Sequence, residues 1–148
     1  MNDDVDYASF AALIDDDEHS AHLLTRALLA HDAPGVQCYG DADAGELRLK
    51  AVLGDAKALR PALIVLDLKS CSDANLEFLQ AMGQQICRAG IPLVVLAAPQ
   101  DERRRRALIE HGAQAVFPRH GERDAYQRVA GEIVEFWAQT LRPVAVGM

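Results

Sequence analysis

Three aspartates sit where chemistry is expected. Asp67 closes the uncharged run 61–66, and Asp15 and Asp16 close the apolar run 10–14. If those runs are strands of one sheet, their carboxyl ends can converge on one crevice. Carboxylates gathered there repel one another unless a hard cation neutralises them. Mg²⁺ suits the place, because it accepts one or two carboxylates and leaves the rest of its shell to waters and phosphate oxygens. A carboxylate held on such an ion can attack a phosphoryl group and form an aspartyl-phosphate. These residues therefore suit a Mg²⁺ site at which a carboxylate can accept a phosphoryl group.

The elements that must position them follow from the apolar pattern. Short apolar runs at 10–14, 36–40, 62–67, 92–98 and 113–117 read as strands. They are apolar throughout rather than alternating, as strands are when both sheet faces are covered. Between them lie stretches with helical spacing. Residues 20–30 carry Leu24, Ala27 and Leu28. Residues 43–59 carry Leu47, Ala51 and Leu59, with Gly54 as an interruption. Residues 73–90 place Leu76, Leu79, Met82 and Ile86 on one face, with Gly90 as a stop. Residues 101–112 end on Gly112, where a left-handed cap is expected. Residues 122–141 carry Tyr126, Val129, Ile133, Trp137 and Leu141. Five strand–helix units predict an α/β domain with a five-stranded, parallel, doubly wound sheet. The whole chain reads as one such domain over 1–148, with tails at 1–8 and 142–148.

Bulk properties narrow the function classes. The chain has 148 residues, half of them apolar and a quarter charged, as in a soluble globular domain. A net charge of −7 argues against nucleic acid as a partner, since phosphates must be neutralised by clustered cations. No apolar run approaches the roughly 20 residues of a membrane span, so no membrane is expected. The acidic start lacks the features of a secretory signal. Three widely spaced cysteines, Cys38, Cys71 and Cys87, form neither a zinc motif nor a disulfide framework. The expected compartment is the cytoplasm. The arginine run 103–106 reads as a solvated helix face.

On these motifs the chain resembles the receiver domain of two-component response regulators, a flavodoxin-like fold. "LIDDDE" is similar to the family's acidic pair after the first strand, "LIVLDL" to its phospho-acceptor strand, and "GAQAVFPR" to its fifth strand with a basic residue. The likeness covers about 9–141. The long segment before the third strand and "GEIVEFWAQT" in the last helix look like the stand-alone receivers that partner bacterial phytochrome kinases. The resemblance implies a single-domain response regulator that takes a phosphoryl group from a sensor histidine kinase, here a bacteriophytochrome. It implies that Asp16 holds the metal directly, Asp15 largely through water, and Asp67 as ligand and acceptor. The backbone carbonyl of Lys69 would be a further ligand, and Arg119 the phosphate contact. The run "DDD" leaves a second register, Asp16 with Asp17, open. Phe136 and Trp137 would lie on a homodimer or partner surface, because adjacent rings on a helix face different ways.

Several positions depart from the family. The hydroxyl residue ending the fourth strand is Ala97, the basic residue is Arg119 rather than Lys, and the aromatic gate is Val116. Without the hydroxyl and the gate, the ordinary two-state switch is absent or replaced. An alternative is therefore a phosphorylation-independent pseudo-receiver kept for its binding surfaces. An aspartate-nucleophile phosphatase would need an Asp two residues after the nucleophile, and Lys69 stands there. The protein is thus not expected to be an enzyme beyond catalysing its own phosphorylation and dephosphorylation. A DNA-binding output domain after residue 141 is not expected.

Overall fold

The runs "LIVLD" and "LVVLA" are rich in β-branched and aliphatic side chains, and every residue of both is buried. Such strands are stable only with a layer of helices on each face. The structure, a computed structural model, describes residues 9–99, 102–119 and 123–141. The two expected tails lie outside the described residues.

Five parallel strands form one sheet: β1 (Ala11–Asp15), β2 (Val36–Gly40), β3 (Leu63–Asp67), β4 (Leu93–Ala97) and β5 (Ala115–Pro118). Their order is β2-β1-β3-β4-β5. The helices α1 (Glu18–Ala30), α2 (Ala42–Leu53), α3 (Ala74–Arg88), α4 (Glu102–Glu110) and α5 (Arg123–Leu141) alternate with them. This is the doubly wound α/β architecture expected from the strand–helix repeat. Successive residues of each central strand feed opposite cores. Ile14, Ile64, Leu66 and Val95 meet Leu49, Phe78, Met82 and Leu108 from α2, α3 and α4. Leu13, Val65, Val94 and Leu96 meet Leu24, Leu28, Ile133 and Trp137 from α1 and α5.

Local signals place the helix ends. The Asp17 carboxylate accepts from the His19 and Ser20 amides (2.9 and 3.3 Å) and so caps α1. Gly90 and Gly112 have φ of 76° and 124°, the left-handed stops expected after α3 and α4. Gly83 lets α3 approach the end of α4 so closely that a Cβ there would overlap the His111 carbonyl oxygen.

Two expectations need correction. Helix α2 ends at Leu53 with Gly54 as its cap, and its inner face is Gly45 and Leu49. The proposed stripe of Leu47, Ala51 and Leu59 is exposed, Leu47 at 73%. Gly45 explains the rotation: a Cβ there would meet Ile14 at 2.9 Å, so α2 seats its backbone on β1 at that residue. On α5, Trp137 is only 2% exposed and belongs to the core, so it offers no surface. Phe136 is half-buried, edge-on to Phe117 with centroids 6.4 Å apart. An apolar stripe about 100° wide accommodates two successive residues, which is why both rings turn inward.

Candidate functional site

Strands β1 and β3 are paired in register, with Asp15 opposite Asp67 at their carboxyl ends. The two acids are thereby neighbours at the edge of the sheet, although 52 residues apart in the chain. Asp67 is fully enclosed and Asp15 nearly so. Two buried carboxylates this close need positive charge.

Lys69 and Arg119 supply it. Lys69 lies just past β3, and its chain folds back toward the strand end. Its Nζ donates to Asp15 Oδ1 at 2.6 Å and to the Asp67 backbone carbonyl at 2.9 Å, and stands 3.2 Å from Asp67 Oδ2. That last contact is ionic, since Oδ2 accepts no aligned hydrogen bond. Arg119, the residue after β5, is anchored through its own amide on the Ala97 carbonyl at 2.8 Å. Its Nε donates to Asp67 Oδ1 at 2.6 Å, and Nη2 donates to the Leu68 and Leu96 carbonyls at 3.0 and 2.9 Å. Burial pushes the Asp67 carboxyl above its ordinary value, while Lys69 and then Arg119 pull the other way.

The remaining acids hold the frame. Asp16 faces the loop that follows β3. Its carboxylate accepts from the Lys69 amide at 3.0 Å and the Ser70 amide at 2.9 Å, pinning the loop that carries Lys69. Asp17 is spent on capping α1, and the Ser20 and His19 amides hold its carboxyl below the usual range. Asp15 Oδ2 accepts from Ser20 Oγ at 2.7 Å, and Oδ1 also accepts from the Asp17 amide at 2.9 Å. Among the described residues no three His, Cys, Asp or Glu side chains gather as a metal-holding group. The expected trio of Asp15, Asp16 and Asp67 is therefore not drawn together in this arrangement. Each of their oxygens already faces a donor or a cation, so the side chains as placed do not fit a divalent ion.

Two contributors escaped sequence reasoning. Asn75, in the first turn of α3, accepts from the Leu68 amide at 2.9 Å and donates to the Leu96 carbonyl at 3.1 Å, tying β3 to β4. Ser20 fixes Asp15. A polar residue on the inner face of a helix is the signal for each, but it names no partner.

No family model matches the chain, and no curated protein matches it. Solved structures do. The phosphorylated cyanobacterial phytochrome response regulator RcpA is 23% identical with a TM-score of 0.71, covering 90% of this chain and 96% of that one. The Mn²⁺-bound form of response regulator Rcp1 is 21% identical with a TM-score of 0.71, covering 94% and 99%. RPA3017, a response regulator in red light signaling of R. palustris, is 14% identical with a TM-score of 0.68, covering 90% and 96%. The chain has the receiver fold.

Within that fold the departures expected from sequence have a structural context. Beside Ala97 a cavity of about 280 Å³ opens, lined by Lys69, Asn75, Ala97, Leu108 and Arg119 among others. Val116 packs toward the α2–α4 core and Phe117 toward the α1–α5 core. Phe117 therefore does not stand in for an aromatic at 116 on the receiver's α4 side. The arginines at 103–106 are exposed, and no helix among the described residues is long and apolar enough to cross a membrane.

Proposed function

We propose that this chain is a receiver module of a two-component pathway that accepts a phosphoryl group on Asp67 from a sensor histidine kinase. The observation that carries the reading is the Asp67 carboxylate at the strand end, level with Asp15 and gripped by Arg119 Nε at 2.6 Å. Asp67 Oδ2 is the reacting atom, because Oδ1 is engaged by Arg119. As the Oδ2–P bond forms, the P–N bond of phosphohistidine breaks. The electron pair goes to the imidazole nitrogen, which takes a proton from solvent. Lys69 and Arg119 then lie beside the phosphoryl oxygens and offset their charge. The donor's approach requires the Lys69 side chain, 21% exposed, to swing aside, since Asp67 itself is covered.

Phytochrome-type kinases are the partners this reading favours, because one of the similar folds above is a phytochrome response regulator and another a response regulator in red light signaling. Homodimerisation through α5 belongs to the same reading, with Phe136 rather than Trp137 as its available ring. The test is incubation with acetyl phosphate, with and without Mg²⁺, followed by intact mass. One phosphate should be added, and none to Asp67→Asn.

The enclosure of Asp67 together with Ala97 favours a second reading, a phosphorylation-independent binding module. No adduct from any phosphodonor, with kinase binding retained, would establish that reading instead.

A further inference from the structure

We infer that the Lys69 ammonium is the resident cation of the acid pocket, doing the neutralising work of a divalent ion and excluding one. An ammonium offers three N–H donors and no acceptor. Lys69 Nζ donates to Asp15 Oδ1 at 2.6 Å and to the Asp67 carbonyl at 2.9 Å, and stands in ionic contact with Asp67 Oδ2 at 3.2 Å. That spacing suits an ammonium. Mg²⁺ would need oxygens at roughly 2.0–2.1 Å and Ca²⁺ at roughly 2.3–2.6 Å.

Charge gives the same answer. The enclosed carboxylates Asp15 and Asp67 are matched by the cations Lys69 and Arg119, one for one. A divalent ion added to that balanced set would face an ammonium at contact distance. The third acid has no part in the balance. Asp16 spends its oxygens on the Lys69 and Ser70 amides, so it positions the residue that carries the ammonium. In this chain Asp16 is thus a positioning residue for Lys69.

The chemical consequence rests on Asp67 being the acceptor, whereas the occupancy of the pocket does not. Phosphoryl transfer to Asp67 should then survive a chelator.

Mn²⁺ titration of the full chain, followed by loss of the free-ion electron paramagnetic resonance signal, tests the occupancy. The wild-type chain should bind no ion that Asp15→Asn removes. Lys69→Asn and Lys69→Met, checked for folding by circular dichroism, should each gain one ion per chain and lose it when Asp15→Asn is added. A wild-type ion sensitive to Asp15→Asn would overturn the inference, as would two folded Lys69 variants that bind nothing. A second arm uses acetyl phosphate in excess EDTA. An adduct that disappears in Lys69→Met supports the inference, and an adduct formed only with Mg²⁺ overturns it. Absence of any adduct under both conditions refutes the acceptor reading and leaves the Mn²⁺ result standing.

Discussion

Removing the Arg119 guanidinium should be the most costly single change at the strand ends. It makes one charged contact, 2.6 Å to an Asp67 carboxylate with no exposure, and two contacts to the Leu68 and Leu96 carbonyls. Breaking a buried ion pair from one side costs about 3–5 kcal/mol, because the surviving charge remains enclosed. The Arg119 side chain is 19% exposed, so partial screening sets the expectation for Arg119→Ala near the lower end, about 3 kcal/mol. For a domain of this size that is a fall of roughly 10 °C in Tm. Arg119→Lys keeps the charge but has one compact donor in place of the fork, and should recover about half. The loss should also shrink as pH drops from about 7 to about 4, because a protonated Asp67 no longer needs a cation. Scanning calorimetry at both pH values measures all three. Adding Asp67→Asn completes a double-mutant cycle, in which Arg119→Ala should become nearly harmless. A wild-type loss below about 1 kcal/mol, or one of equal size at both pH values, would refute the account of Arg119 as the partner of a buried charge.

Three further outcomes are expected. The folded Asp67 carboxyl holds its proton more tightly than the ordinary value of 3.8, chiefly through burial, so it stabilises the fold below that pH. That contribution should be lost as pH rises through the raised value, and urea midpoints of wild type and Asp67→Asn measured against pH would show it. Gly83→Ala should destabilise by at least about 2 kcal/mol despite alanine's better helix propensity, since its Cβ overlaps the backbone carbonyl of His111. An unchanged Tm would rule out that close approach of α3 to α4. Asn75→Ala strands the Leu68 amide and the Leu96 carbonyl and should cost about 2 kcal/mol by chemical denaturation.

The sheet and the place of the acids were legible because their causes are local. An uninterrupted apolar run followed by an acid declares a strand that ends at an edge, as 61–67 does. The inner face of α2 was not legible, because its centre is Gly45, a residue with no side chain to mark it. The site was half legible for a related reason. Asp67, Asp15 and Arg119 announce themselves by position, but Lys69 after a strand reads as an ordinary solvated lysine. Its return onto Asp15 is a contact across 54 residues of sequence, which no local pattern carries. The contacts of Asp16 are hidden in the same way, since its partners are backbone amides, and those are present at nearly every residue.

The last strand of the sheet carries its own safeguard against polymerisation. Strand β5 lies on the border, is four residues long and finishes on Pro118. Proline has no amide hydrogen to offer an incoming strand, and a ribbon this short gives little template for one. The opposite border is interrupted instead, where the β1–β2 register shifts between Leu13 and Ile14. Strand-to-strand growth into fibres is thus discouraged on both flanks.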